Sequence, residues 1–322
     1  MSARRWVARV LPALALVGAG LLAVSAGEPE PGAAPAWDVA LARTWPRAAA
    51  HAAGSLVRIR PAQGGPARSG VVVDEGLVVT CATHLSELPP GDLVVEGPDG
   101  QTVPARVRGR DLRLRLVALE VAGLRARPLE LARDTRPGTF VLVLGSALDP
   151  AGTVTSGIVS ATGRFDGRAL QVDAPLDASN HGGPVVDLEG RLVGVAVRVD
   201  ERLGDRSGVG FAIPAARVLA VREALRRGEE LAPAWIGVAV PRLGLAGEGV
   251  LVRGVTPGGP AAAAGIAAGE RIVSLGGVPT PHRRAFREAL ASLWAGQRVE
   301  VVLAPAEGGP TRRVELSAAP RR

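Results

Sequence analysis

Residues 177–190 read DASNHGGPVVDLEG, a turn rich in Asn, Gly and Pro that leads into a short apolar run. Such turn residues break helices, and a short apolar run bounded by them is typical of a buried β-strand. The same alternation recurs from Ser55 to Val199, for example in SGVVVDEGLVVT (69–80) and GTVTSGIVSATGR (152–164). This spacing predicts an all-β barrel or sandwich over that part of the chain.

A second unit follows the β-rich one. Apolar residues at helical spacing in PAARVLAVREALRRGEE (214–230) predict a helix that closes the first unit, and PHRRAFREALASLWAG (281–296) predicts a helix within the second. With 322 residues the chain is long enough for two domains of ordinary size. The predicted divisions are a linker and short helix over 27–54, a first domain over 55–230 and a second domain over 231–322.

The N-terminus has the pattern of a targeting segment. MSARRWVAR is basic, and the apolar run VLPALALVGAGLLAVSA ends in small residues at Ala26. This pattern predicts a secretory signal peptide over 1–26, cleaved after Ala26. The alternative is an uncleaved membrane anchor, because the run approaches the length that spans a bilayer. Both alternatives place the remaining chain outside the cytoplasm, in the periplasm or the extracellular space.

Composition argues against two classes of function. The formal charge is +7, but the basic residues, all of them Arg, are scattered among Asp and Glu without a basic run, so no nucleic-acid partner is expected. Cys81 and His84 have C-x-x-H spacing, and His181 could supply a third ligand of the kind that zinc binds. That spacing alone is a weak signal, and a cysteine beside a buried strand is usually a small hydrophobe. We predict neither a metal nor a cofactor.

Several segments, in order along residues 55–320, resemble the HtrA family of DegP-like extracytoplasmic serine proteases. The segments are SGVVVDEGLVVT (69–80), ARVRGRD (105–111), GTVTSGIVSATGR (152–164), SGVGFAIPAARV (207–218) and GVLVRGVTPGGPAAAAGIAAGERIVSLGGVPT (249–280). The resemblance implies a mainly β fold, with a chymotrypsin-like double β-barrel followed by an α+β PDZ domain. It says less about activity, because the same fold hosts different functions.

By this resemblance the nucleophile position falls on His181, since Asn180 and the following Gly-Gly-Pro fix the register. An imidazole is bulkier than a serine hydroxymethyl group and would occupy the space that the scissile carbonyl must enter. The oxyanion-loop positions are Ser179 and Asn180, and Ser179 stands where the family has glycine. A side chain there restricts a backbone that needs unusual geometry.

The other two triad positions also depart from the family pattern. Counted from the G-R-D that ends at Asp111, the catalytic aspartate position is Arg115, whose fixed positive charge disfavours an adjacent imidazolium. Asp111 itself is interpreted as structural. The histidine position is Thr83 in the ungapped register, with His84 one residue later as the alternative. The expectation is therefore a catalytically degenerate member of the family.

The second domain keeps more of its binding pattern. The segment AWIGVAV (234–240) resembles the PDZ loop and edge strand that capture the C-terminal carboxylate and backbone of a peptide. The predicted peptide-binding residues are Trp235, Ile236, Gly237, Val238, Val240, Phe286 and Leu290. The alternative for Ile236 and Val238 is that they are simply core strand residues.

Together these features predict an extracytoplasmic HtrA-like pseudoprotease. It would bind peptide segments or C-termini of unfolded or envelope proteins through its PDZ domain, in an adaptor, chaperone-like or regulatory role. The alternative is an active serine-type endopeptidase in periplasmic protein quality control. Membrane association through the N-terminus and homo-oligomerisation are further expectations that the resemblance suggests.

Overall fold

The computed structural model describes residues 36–81, 92–148, 152–198, 208–241, 249–305 and 309–320. Residues 42–322 form one compact unit. Among the described residues no helix is long and apolar enough to cross a membrane. The predicted signal peptide or anchor over 1–26 lies outside the described residues.

A helix and a first barrel begin the described chain. These elements are α1 (Ala36–Ala53), β1 (Leu56–Pro61), β2 (Arg68–Asp74), β3 (Leu77–Cys81), β4 (Leu93–Glu96), β5 (Thr102–Asp111) and β6 (Leu116–Val121). The sheet runs in the order β5-β4-β1-β2-β3-β6, and β5 also pairs with β6, which closes it. Exposed and buried side chains largely alternate along β5, as expected when one face of a strand lines a core and the other meets solvent.

A second barrel and a connecting helix follow. These elements are β7 (Phe140–Gly145), β8 (Thr153–Gly163), α2 (Arg164–Gly167), β9 (Ala169–Val172), β10 (Pro184–Val186), β11 (Leu192–Val197), β12 (Gly210–Pro214), α3 (Ala215–Arg226) and β13 (Glu230–Leu231). The barrel closes in the order β10-β11-β12-β9-β8-β7, while β13 pairs in parallel with β5 of the first barrel. Helix α3 lies inside the predicted 214–230 helix and packs its apolar face on the core.

The C-terminal domain has its own core. Its elements are β14 (Ala234–Trp235), β15 (Val238–Ala239), β16 (Val250–Leu251), β17 (Gly254–Val255), α4 (Pro260–Ala263), β18 (Arg271–Leu275), β19 (Val278–Pro279), α5 (Arg283–Ser292), β20 (Arg298–Ala304), β21 (Arg312–Ser317) and β22 (Ala319–Pro320). The main sheet runs β16-β18-β20-β21, with β19 paired to β18. Apolar residues of α5, among them Phe286 and Ala289, pack on this sheet. Helix α5 lies within the predicted 281–296 segment.

A buried arginine joins the first barrel to helix α5. Arg113 follows β5 and forms a bidentate pair with Asp111, from Nε to Oδ1 at 3.0 Å and from Nη2 to Oδ2 at 2.5 Å. Its Nη1 donates to the main-chain oxygens of Ser292 and Leu293 at the end of α5, both at 2.8 Å. The guanidinium carbon lies 5.5 Å from the ring centroid of Trp294. One side chain thus satisfies helix-terminal carbonyls that would otherwise lack donors.

Candidate functional site

The loop over 177–183, hereafter the vestigial loop, lies where the two barrels meet. Ser69 of β2 donates its hydroxyl to the Ser179 main-chain oxygen (2.6 Å) and accepts the main-chain N–H of Ser146 (2.8 Å). Thr80 of β3 in turn donates to the Ser69 oxygen (2.7 Å). Hydroxyl groups of the first barrel therefore fix the backbone of a loop that belongs to the second.

Glycine at position 182 is required by this close approach. Gly182 has φ +87°, and a Cβ there would lie under 3.0 Å from Ser69 O, Thr80 Oγ1 and Cys81 N. Two of those three atoms belong to the backbone of β2 and β3, which cannot move aside. The glycine that follows the nucleophile position thus sets how closely the barrels dock at the vestigial loop.

Asp177 engages the main-chain donors of the vestigial loop. Its carboxylate Oδ1 accepts the Ser179 N–H at 2.7 Å and the Ser179 hydroxyl at 2.5 Å. Its main-chain oxygen accepts the N–H groups of Asn180 and His181, each at 3.3 Å. In the trypsin-like mechanism, the N–H of the nucleophile residue and the N–H two residues before it stabilise the oxyanion. Here the groups at those positions, 181 and 179, both donate to Asp177.

Two of the predicted triad positions, His181 and Arg115, lie among the described residues. His181 is only 3% exposed. Arg115 lies on an exposed turn with φ +54° and donates from Nη1 to the Arg198 main-chain oxygen at 3.3 Å. Thr83 and His84 lie outside the described residues. The His181 side chain is thus buried, and its main-chain N–H donates to the Asp177 oxygen.

The alternative of a metal centre receives no support within the described part of the chain. There, no group of three or more His, Cys, Asp and Glu side chains is placed to hold a metal ion. Cys81 is buried at the end of β3 in the core between the barrels. His84, the proposed second ligand, is outside the described residues.

A groove of about 1120 Å³ opens along the C-terminal domain, between β15 and α5. At one end the chain turns through Trp235, Ile236 and Gly237, and Gly237 has φ +81°. The Ile236 oxygen accepts from Ala261 (2.9 Å), so the N–H of the same peptide unit, on Gly237, points the opposite way. Among the described residues, neither the Ile236 nor the Gly237 N–H donates to a main-chain oxygen. These donors suit a carboxylate.

Strand β15 presents a main-chain edge to the groove. The main-chain oxygens of Gly237 and Ala239 accept hydrogen bonds from the N–H groups of Thr256 and Arg253, each at 2.8 Å. These two donors flank the neighbouring strand β17. Because successive main-chain groups of a strand alternate in direction, those of Val238 and Val240 face away from β17. An extended peptide could therefore add to this edge as a further strand.

The structure places the predicted groove side chains as follows. Val238, Val240, Phe286 and Leu290 all line the groove, as does Trp235. The Ile236 side chain is 1% exposed and belongs to the core of the domain, so this residue can offer a ligand only its main chain.

Sequence reasoning missed several residues that shape the two sites. Asp177 was not singled out, although Asp two residues before Ser is a pattern that favours a side-chain to main-chain turn. His282 was not singled out either, and its Nδ1 accepts the Ala285 N–H at 3.1 Å and caps α5. Arg113, Asp166 and Arg168 reach the groove from the barrels. No local pattern marks such long-range contacts.

Comparisons with known protein families agree with this architecture. Residues 68–195 match the model of the trypsin-like peptidase domain, and residues 251–305 match that of the PDZ domain. The chain is 30% identical over 271 residues to a probable periplasmic serine endoprotease, DegP-like, of Brucella suis, covering 78% of this chain and 52% of that protein. A protein of the same description from Rhizobium meliloti is 31% identical over 281 residues, covering 82% and 55%. The chain thus spans about half the length of these curated relatives.

Solved structures resemble the fold over most of the chain. A serine endoprotease from Yersinia pestis superposes with a TM-score of 0.62 at 27% identity, covering 86% of this chain and 98% of that one. The HtrA-type protease AlgW with a tripeptide gives a TM-score of 0.68 at 26% identity, covering 86% and 97%. The predicted mainly β fold, a double β-barrel followed by a PDZ domain, is therefore confirmed.

Proposed function

Because the chain belongs to the HtrA family of trypsin-like proteases with a PDZ domain, we propose that it is a member that binds peptides without cleaving them. It holds C-terminal or extended segments of envelope proteins in the groove between β15 and α5. The relatives are named as periplasmic proteins, and we place the function in the same compartment. Its role is that of an adaptor, a chaperone-like protein or a regulator.

The proposal that the protein does not cleave peptides rests on the hydrogen bonds that both N–H groups at the oxyanion positions donate to Asp177. The Ser179 N–H donates to the Asp177 carboxylate and the His181 N–H donates to the Asp177 main-chain oxygen. Loss of one oxyanion donor costs about 10²–10³ in turnover in a serine protease, and loss of the nucleophile costs about 10⁶. In this chain the nucleophile position is also occupied by histidine. The lost nucleophile and the engaged oxyanion donors therefore both impair the same step, attack on the scissile carbonyl.

The peptide-binding part is supported by the shape and polarity of the groove. One end offers the N–H groups of Ile236 and Gly237, the side offers the edge of β15, and apolar side chains such as Phe286 and Leu290 form the opposite wall. This arrangement suits a peptide that ends in an apolar residue with a free carboxylate.

The alternative function is that of an active serine endopeptidase, which is what the relatives' names describe. In this chain the remaining hydroxyl of the vestigial loop is that of Ser179, hydrogen-bonded to Asp177 at 2.5 Å. A carboxylate can hold a hydroxyl in place, but the mechanism of the family needs a histidine base between them. The assay that separates the two functions must therefore include a Ser179 variant.

Amidation of the peptide is expected to weaken binding about ten- to a hundredfold. Hydrogen bonds to a charged group contribute about 1.5–3 kcal/mol, and a neutral amide forfeits that charge. The measurement is fluorescence anisotropy of the full chain with a labelled alanine-rich decapeptide ending in Phe, as the free acid and as the amide.

The matched protein variant is Gly237→Ala, whose side chain would disfavour the positive φ and turn the donors away. Gly100→Ala serves as the control, because Gly100 has φ +78° with open space around it and lies in the first barrel. Equal affinity of acid and amide would show that the carboxylate is not recognised.

A further inference from the structure

The wall of the peptide groove is not made by the PDZ domain alone. The turn around α2, in the second barrel, contributes Asp166 and Arg168. These two residues line the groove together with residues of α5. The α2 turn is held by an edge-to-face contact of Phe165 with Phe211, whose ring centroids are 5.1 Å apart, and by an ion pair between Asp166 and Arg287 of α5 at 2.6 Å. A ligand in the groove therefore faces charges supplied by both domains.

Positive charge exceeds negative charge along this wall. Within the described part of the chain, four arginines and one carboxylate line the groove: Arg113, Arg168, Arg283, Arg287 and Asp166. Arg113 is neutralised by Asp111 and Arg287 by Asp166. Arg168 and Arg283 form no ion pair with any described residue, so their two charges remain uncompensated there.

The positions of the two uncompensated arginines are held by the fold. Arg168 donates from Nε to the Phe165 main-chain oxygen at 2.8 Å, which leaves its terminal nitrogens for other acceptors. The Nε of Arg283 is buried and has no hydrogen-bond partner among the described residues. Its terminal nitrogens also have no acceptor among the described residues, and an anionic group of a ligand in the groove would supply one.

The environment behind this wall is also cationic. Burial lowers the pKa of the Arg217 guanidinium, and the positive charges of Arg113 and Arg168 lower it further. Glu288 and Asp111 oppose that shift, but both carboxylates are already paired, with Arg284 (2.8 Å) and Arg113 (2.5 Å). The nearby carboxylates thus do not cancel the excess at the groove.

The order of the elements fixes where along a peptide this charge acts. The C-terminal end of α5 lies beside the turn over 235–237, hereafter the carboxylate loop. Just before that turn, the Ala232 oxygen accepts from Ala295 at 3.1 Å and Pro233 pairs with Trp294. Arg283, at the other end of α5, precedes Leu290 by seven residues, or about 10 Å of helix. That distance equals about three residues of an extended peptide.

We propose that the groove selects peptides that carry Asp or Glu two or three residues before an apolar C-terminal residue. Arg283 and Arg168 form the cationic subsite that recognises the acidic side chain, while the carboxylate loop holds the C-terminus. This inference rests on the proposed function, since it assigns the ligand class of the same groove.

The test is fluorescence anisotropy of the full chain with three labelled decapeptides that end in Phe. They are identical except for Ala, Glu or Lys at the two positions that lie two and three residues before the C-terminus. We expect the Glu peptide to bind about five- to tenfold more tightly than the Ala peptide at low salt and the Lys peptide to bind more weakly than both. High salt should reduce the difference.

In the double variant Arg168→Gln, Arg283→Gln the Glu-to-Ala affinity ratio is expected to fall to within about twofold, since the charged hydrogen bonds are gone. Arg284→Gln, on the same helix but outside the groove wall, should keep the ratio. Equal binding of the three peptides, or an unchanged ratio in the double variant, would overturn this inference alone. Failure of all three to bind would instead overturn the proposed function and this inference with it.

Discussion

Replacement of Arg113 by alanine is expected to lower the free energy of unfolding by about 3–5 kcal/mol. The change leaves the Asp111 carboxylate, which is 0% exposed, without its counter-charge in the interior. It also removes the donor to the Ser292 and Leu293 oxygens at the end of α5 and the cation over Trp294. The measurement is urea unfolding followed by tryptophan fluorescence.

Two further variants test whether the stability lost in Arg113→Ala comes from the buried ion pair. Arg133→Ala, at an exposed arginine without an ion pair among the described residues, should change stability by no more than about 0.5 kcal/mol. The double variant Asp111→Asn, Arg113→Met removes both charges and keeps an oxygen for the Leu114 N–H, so it should lose less stability than Arg113→Ala. A loss below about 1 kcal/mol in Arg113→Ala would contradict the role of this pair.

The Gly182→Ala variant is expected to lose about 2–5 kcal/mol of stability, or to fail to fold. Two costs add, since a side chain at φ +87° costs about 1–2 kcal/mol and overpacking a tight interior costs about 1–3 kcal/mol. The added Cβ would press on Ser69 O and Cys81 N, which belong to paired strands. Thermal unfolding by circular dichroism measures the loss.

The control separates backbone strain from the contact between barrels. Gly123 has φ +74° with nothing within 4 Å of an added Cβ, so Gly123→Ala should show only the backbone cost of about 1–2 kcal/mol. If the two variants lose equal stability, the close approach of the vestigial loop to β2 and β3 is not what requires glycine at position 182.

The sequence was sufficient to predict the architecture because its signals are local. Short apolar runs between Gly and Pro predicted a barrel or sandwich, and helical spacing predicted α5; the double barrel and the groove role of Phe286 and Leu290 were implied by the family resemblance. Ile236 shows the limit of that approach. It was predicted as a binding residue with a core role as the alternative. Its side chain is in the core, while its N–H donates to no main-chain oxygen among the described residues. A sequence pattern does not separate those two contributions.

Contacts between distant segments could not be predicted. Arg113 meets Ser292 and Leu293 across about 180 residues of sequence, and the uncompensated state of Arg168 and Arg283 depends on which carboxylates the fold brings near them. Arg residues are scattered throughout this chain, so the sequence does not indicate which of them lack an ion-pair partner or line the groove. Whether Thr83 or His84 occupies the histidine position stays a prediction, since both lie outside the described residues.

The central claim is that this chain binds peptides without hydrolysing them. Its most direct test is the turnover of fluorescein-labelled casein by the full chain, with and without the decapeptide acid at saturating concentration, beside the Ser179→Ala variant. We expect no turnover above buffer for either protein, because His181 stands at the nucleophile position and Asp177 engages the oxyanion donors. Turnover by the unmodified chain that Ser179→Ala abolishes would contradict it and establish an active serine endopeptidase.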